Sequence, residues 1–372
     1  MAFLRKIEAN GFRSFQSLSI ELRPLNWLIG ANGAGKSNLL ALFKLLYETA
    51  WGRLQTHVGI AGGAECVLHY GSKQTPAMEV SLSIADTPSE VCSPPSALTY
   101  SVKLAASSDD KLIFEDERVM ELSFGGTKSE SRMSKFSVEQ KELGRRYRPL
   151  GFVCDHLRQW RVYHFNDTSR NAPIRKKAEL DDNRYLQPDG SNLPAFLYLL
   201  RHKHPGSYEQ IRETVQRIAP YFDDFELEPD RLNEARILLR WRERSSDHSF
   251  SIADLSDGTL RFVCLATLLL QPNPPPLILL DEPELGLHPA AIGLLSAMLH
   301  MASHRTQLIV ATQSVELLDA EQDAASVLAV DRDREGRSTV HRLDPEALRD
   351  WLADYSLGEL WKKNVPGFGG RP

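Results

Sequence analysis

Along residues 4–9 and 18–22, apolar and polar positions alternate at period two, which predicts two half-buried strands near the start of the chain. Asn26-Trp27-Leu28-Ile29 reads as a buried strand running into a glycine-rich loop. Residues 38–49 then place Leu39, Leu40, Phe43, Leu46 and Tyr47 at helical spacing. From 65 to 123 short alternating segments (66–69, 79–84 and 99–104) are separated by clusters such as Ser93-Pro94-Pro95-Ser96. They predict an antiparallel sheet layered on the rest. Residues 125–148 are polar and charged and predict a mobile loop, and 160–165 predict another strand. Beyond Asn166 the spacing turns helical, at 193–201 and 208–218, with Pro205-Gly206 as a break and Pro220 as a stop. Strands at 225–227 and 237–241 follow. The last section alternates strands at 277–280, 307–311 and 326–330 with helices from Pro289 and Val315, a βαβ rhythm that indicates a parallel sheet.

The pattern divides into four parts: 1–166, with the glycine loop and the antiparallel β layer; 167–224, a helical lobe; 225–345, the second half of the α/β core; and 346–372, a C-terminal helix and loose tail. No heptad run holds long enough for a coiled-coil arm.

Composition changes this picture little. The 372 residues carry a net charge of −5, which sets up no global basic field, so any DNA contact must come from a local patch. Cys66, Cys92, Cys154 and Cys264 are scattered with no C-x-x-C pair, which argues against a zinc site and fits buried fillers in a reducing compartment. The first residues lack the apolar core of a signal peptide, and no apolar run approaches the roughly 20 residues of a membrane span. The expectation is a soluble, cytoplasmic chain without membrane contact.

Candidate chemistry sits in three motifs. Gly30-Ala31-Asn32-Gly33-Ala34-Gly35-Lys36-Ser37 matches G-x-x-x-x-G-K-S between a strand and a helix. Its glycines turn backbone N–H groups inward around phosphates, and the helix N-terminus adds its positive end. Gly30, Asn32, Gly33, Gly35, Lys36, Ser37 and the next residue, Asn38, are therefore candidate ATP-binding residues, with Lys36 reaching the β- and γ-phosphates and Ser37 ligating Mg²⁺. Leu277-Ile278-Leu279-Leu280-Asp281-Glu282 is a central strand delivering two carboxylates at its C-terminal edge. Asp281 would hold Mg²⁺ through water, and Glu282 would polarise the attacking water. Leu255-Ser256-Asp257-Gly258-Thr259 opens a buried helix at 260–270. In proteins with such a loop, its residues (here Ser256, Gly258 and Thr259) cap the γ-phosphate held by a second copy, which implies an ATP-sandwich homodimer.

Weaker signals complete the set. Thr312-Gln313-Ser314 follows a strand, and Gln313 can orient water or phosphate but cannot act as a base. A carboxylate at Asp257 must point away from phosphate or be neutralised, for instance by Arg261. Glu284 reads as structural or interfacial. Asn166 or Asp167 either approaches Mg²⁺ or caps a helix, and Arg13 faces nucleotide, DNA or plain solvent. His288-Pro289 caps the next helix, with or without crossing a dimer interface. Basic clusters at 170–177, 145–148 and 201–204 are either solvated faces or contacts to a phosphate backbone.

Together with the Gly11-Phe12-Arg13-Ser14-Phe15 opening and the Asp281-Glu282-Pro283-Glu284-Leu285-Gly286-Leu287-His288-Pro289 run, these motifs resemble the RecF/SMC/OLD branch of ABC-type ATPases. Tyr355-Ser356-Leu357-Gly358-Glu359-Leu360-Trp361 is similar to the ending of a compact bacterial group of AAA-family ATPases without coiled coil or TOPRIM nuclease. The resemblance implies a P-loop NTPase fold of ABC-ATPase type, with ATP and Mg²⁺ as cofactors and hydrolysis coupled to dimerisation. Relatives serve DNA repair and phage defence, often beside a nuclease or toxin effector. Gln313 stands where most ABC ATPases carry histidine, which implies slow turnover. A non-hydrolysing, nucleotide-gated module that recruits a nuclease or toxin, and a DNA-structure sensor, remain open alternatives.

Overall fold

A computed structural model describes residues 2–85, 97–122, 128–133, 148–363 and 365. At its centre lies a six-stranded sheet in the order Ser338–Arg342, Val327–Arg332, Leu25–Ile29, Gln307–Ala311, Leu277–Asp281, Arg161–Tyr163. Every neighbouring pair is parallel except the hairpin of the first two strands. Leu25–Ile29 and Gln307–Ala311 are buried at every position, as strands covered on both faces must be.

Side chains in this sheet alternate between two cores. Trp27, Ile29, Ile278, Leu280, Leu308 and Val310 face one apolar cluster; Leu28, Leu277, Leu279, Ile309 and Ala311 face the other. The first cluster holds the helix Asp257–Leu270, whose residues from Leu260 onward are all buried. The second holds the helix Lys36–Ala50. The glycine-loop helix and the helix of the Ser256–Thr259 motif thus lie on opposite faces of one sheet.

Above the Lys36–Ala50 helix sits an antiparallel sheet in the order Phe15–Glu21, Phe3–Phe12, Ala77–Ala85, Ala97–Ala106, Leu112–Leu122, Lys128–Met133. Its inward residues Leu4, Ile7, Val80, Leu82 and Val102 complete the second core. The strand Lys128–Met133 corrects the loop expected over 125–148. Its sequence is polar apart from Met133 and carries no alternation to read, yet its backbone pairs with Leu112–Leu122. The rest of the supposed loop up to residue 147 lies outside the described residues, as does the tail from 366. The strand expected at 66–69 is also corrected. Ala64–Val67 is one helical turn, burying Ala64 and Val67 three positions apart. The strand expected over 237–241 is two strands, Asn233–Ile237 and Arg240–Glu243, which enter different sheets.

The helices expected over 193–201 and 208–218 are Leu193–Lys203 and Pro205–Ile218, packed against a three-stranded sheet of Phe222–Glu226, Arg240–Glu243 and Ser249–Ser251. Among the cysteines, Cys264 is buried as expected, but Cys66 is exposed. Among the described residues no helix is long and apolar enough to cross a membrane.

Candidate functional site

The strand Leu25–Ile29 ends in the glycine loop, and the loop ends in the helix Lys36–Ala50. Gly35 stands at the helix N-cap without any side-chain cap, so the first amides remain available to an anion. Gly33 and Gly35 have φ of +77° and +127°. A Cβ at Gly35 would collide with Ser338 Oγ, so only glycine fits. Lys36 is buried, and its Nζ donates to the carbonyl oxygens of Gly30 and Ala31. Burial lowers the lysine pKa, while Glu282, Asp281 and Glu284 oppose that shift. Asn32 and Gly33 on the loop, and Ser37 in the first turn of the helix, lie exposed. Asn38 donates to Ser14 Oγ at 2.7 Å and accepts from Arg13 at 3.4 Å.

Strand pairing brings the acidic pair to this loop. Asp281 is in register with Ala311, and Ala311 with Leu28, so the three strand ends stand side by side. Glu282 turns off the sheet with φ +46°, a left-handed conformation that costs a non-glycine residue about 1 kcal/mol. Its N–H donates to Ala311 O at 2.8 Å, and its carboxylate accepts from Gln313 Nε2. Glu284 ties the same turn to the segment after the strand. One of its oxygens accepts from Thr312 Oγ1 at 2.5 Å and from the Gln313 N–H at 3.3 Å; the other is buried without a hydrogen-bond partner. Burial raises the carboxyl pKa of both Asp281 and Glu284. Lys36, Asp281, Glu282 and Gln313 converge.

Ser256, Gly258 and Thr259 stand elsewhere. Ser256 caps the helix Asp257–Leu270, accepting from the Thr259 N–H at 3.1 Å. Gly258 abuts the turn after the acidic pair, where an added Cβ would lie 2.5 Å from Gly286 O. The partner of Asp257 is not Arg261 as expected. Arg261 is buried and donates to the carbonyls of Phe165 (2.9 Å) and Asn166 (3.1 Å). Arg175 pairs with Asp257 at 2.7 Å instead. It also donates to the carbonyls of Thr168 (2.7 Å), Ile252 (2.6 Å) and Leu255 (3.2 Å). Arg175 is a structural pin, which removes it from the basic cluster at 170–177. Lys177 is likewise engaged with Asp230, and Arg201 stacks on Tyr208.

At the 164–167 junction it is His164 that faces the acidic pair, with Nδ1 3.6 Å from Asp281 Oδ2. Burial lowers the His164 pKa against the pull of Asp281. Asp167 accepts from the Ser169 N–H at 3.1 Å in a local turn. His288 caps the helix Pro289–Ser303 through Nδ1. Arg13 is half-buried and lines a cleft of about 450 Å³ with Ser14, Asn38, Tyr70 and Arg332. Arg332 Nη1 donates to Gly33 O at 3.2 Å. Sequence reading missed Arg332 and Ser338, because the hairpin of Val327–Arg332 and Ser338–Arg342 carries no motif to mark them.

Solved structures share this architecture. An SmcHead bound to the C-winged helix domain of ScpA superposes with a TM-score of 0.60 at 16% identity, over 94% of this chain and 99% of that one. The Smc head domain of Pyrococcus furiosus, with an extended coiled coil and bound to the C-terminal domain of ScpA, gives 0.59 at 14%, over 95% and 99%. That of Pyrococcus yayanosii, with a coiled coil and joint, gives 0.52 at 12%, over 95% and 99%. At such identities the likeness is one of fold, that of the P-loop ATPase heads. A comparison with curated proteins gives no match. Residues 25–319 match the family described as "AAA domain, putative AbiEii toxin, Type IV TA system", and the chain belongs to that family.

Proposed function

We propose that the chain binds Mg²⁺-ATP at the glycine loop and hydrolyses it slowly within an ATP-sandwich dimer. The observation that carries this reading is the placement of the motifs. Lys36, Asp281, Glu282 and Gln313 converge at one sheet edge, while the Ser256–Thr259 turn belongs to a helix on the opposite face. A second copy, turned to face the first, supplies Ser256, Gly258 and Thr259 to the γ-phosphate.

The residues fit the ligands. Gly33 and Gly35 with positive φ, an uncapped helix start and a buried lysine make an anion cradle. Ser37 and Asp281 are oxygen ligands of the hard kind that Mg²⁺ takes. When bound, the ion neutralises charge on the phosphates. The nucleoside end extends into the cleft lined by Arg13, Tyr70 and Arg332. Glu282 orients the water that attacks the γ-phosphorus in line, and ADP leaves as the bridging P–O bond breaks. Gln313 holds the Glu282 carboxylate and cannot itself take a proton, which supports slow turnover.

The biological role we propose is defence or DNA repair through a nuclease or toxin effector. It rests on the family description, which names a toxin of a toxin–antitoxin system, and on solved neighbours that bind ScpA. Direct DNA contact is the weaker branch, since Arg175, Lys177 and Arg201 are engaged within the chain. The grip of Gln313 on Glu282 also favours a second reading, a nucleotide-gated module that does not hydrolyse. Steady-state phosphate release separates the two. For the dimer, Glu282→Gln should bind ATP like the parent, release no phosphate and accumulate as a dimer in light scattering. A variant that stays monomeric at saturating Mg-ATP defeats the sandwich.

A further inference from the structure

We propose that the C-terminal segment 356–360 is a brace that positions Gln313, with Gly358 and Ser356 as its positioning residues. The inference rests on the reading of Gln313 as part of the hydrolytic site. Gln313 and Ser314 lead directly into the helix Val315–Asp319, which is five residues long. A helix that short does not hold itself in water and takes its geometry from what it packs against. It packs against the helix Pro289–Ser303 and, more extensively, against the helix Leu357–Lys362. Leu317 and Leu318 on one side, and Leu357 and Leu360 on the other, are buried in the same core.

The fit is tight at one point. A Cβ on Gly358 would lie 2.5 Å from the Val315 carbonyl oxygen and closer still to the Asp319 carboxylate. The carboxylate can swing aside; the backbone carbonyl can move only with its helix. Ser356 fixes the approach. Its hydroxyl donates to Asp319 Oδ1 and accepts from the Glu359 N–H at 3.2 Å, while the Glu359 carboxylate accepts from the Ser356 N–H at 2.9 Å. From the near end of the short helix the contacts continue to the site. The Ser314 N–H donates to Thr312 Oγ1 at 2.9 Å, Thr312 Oγ1 donates to Glu284, and Gln313 Nε2 donates to Glu282. Displacing Val315 therefore displaces Gln313, whose side chain donates to the Glu282 carboxylate. A shift of about 1 Å in a catalytic group is enough for a loss of order 10²-fold.

The test uses the full chain with Gly358→Ala. The brace predicts a fall in kcat of about tenfold or more, with ATP affinity, read by a fluorescent analogue, within about twofold of the parent. Hydrogen exchange should quicken at amides 312–319 and stay unchanged at 30–37. Ser356→Ala should move both readouts the same way, and Ser356→Thr, which keeps the hydroxyl, should restore them. Unchanged turnover in Gly358→Ala, unchanged exchange at 312–319, or equal losses of affinity and kcat would each overturn the brace. If Gly358→Ala does not fold, the Ser356 pair decides by the same readouts. A parent that releases no phosphate sinks the hydrolytic reading, and the exchange pattern then decides the brace alone.

Discussion

Replacing Arg175 by alanine tests how the Ser256–Thr259 turn is held. The Arg175 side chain is only 6% exposed and makes four hydrogen bonds, three of them to the backbone carbonyls of Thr168, Ile252 and Leu255. Each charge-assisted bond contributes about 1.5–3 kcal/mol, and water entering the gap recovers part of it, so the net cost should be about 3 kcal/mol. The fourth bond differs. Asp257 is 70% exposed, and an ion pair with so wet a partner contributes about 0–1 kcal/mol. Arg175→Ala should therefore lower the urea midpoint well beyond Asp257→Ala, with the slope unchanged. It should also weaken ATP-dependent dimerisation in the Glu282→Gln background, since Leu255 and Ile252 flank the turn that we propose a second copy meets. Nucleotide binding to the monomer should survive, because Lys36 lies on the other face of the sheet. Equal destabilisation by Arg175→Ala and Asp257→Ala would refute this reasoning, for it would mean that the ion pair and not the carbonyl pins holds the turn.

Two further outcomes follow from buried contacts. Glu117 is buried, accepts from Tyr100 OH at 2.8 Å, has its other oxygen unpartnered, and lies near Cys154; burial pushes its carboxyl from 4.5 up to about 7. The folded state keeps a proton that the unfolded chain releases near 4.5, so this group's stability contribution is full below 4.5 and falls as pH rises to about 7. The loss amounts to at most about 3 kcal/mol. Glu117→Gln should flatten that slope in denaturation midpoints taken across the window, and an unaltered slope would contradict the assignment. Gly258→Ala must push the carbonyl of Gly286, so phosphate release should drop severalfold while monomer ATP affinity holds; parental turnover would show that the two turns are not in tight register.

The five parallel strands of the central sheet were legible because buried parallel strands read as apolar runs, and 307–311 matches the strand Gln307–Ala311 at both ends. The edge strands Ser338–Arg342 and Lys128–Met133 were not, since neither sequence carries an apolar alternation to announce it. The four-residue turn Ala64–Val67 was too short for its period to be told from a strand's.

By itself the sequence determined the chemistry on offer. A glycine loop closed by Lys36-Ser37, a strand ending in Asp281-Glu282, and a Ser-x-Gly-Thr helix start each depend on residues adjacent in the chain, where spacing alone sets the local geometry. Only the tertiary structure decided which partners meet. Asp257 finds Arg175 rather than Arg261, Asp281 faces His164, Glu284 clasps the segment carrying Gln313, and residues 356–360 reach back to Val315 and Asp319. These pairs are separated in sequence by 29 residues, for Glu284 and Gln313, to 117, for His164 and Asp281. Their meeting is set by the order of strands in the sheet and by which face each helix covers, and no local pattern encodes either.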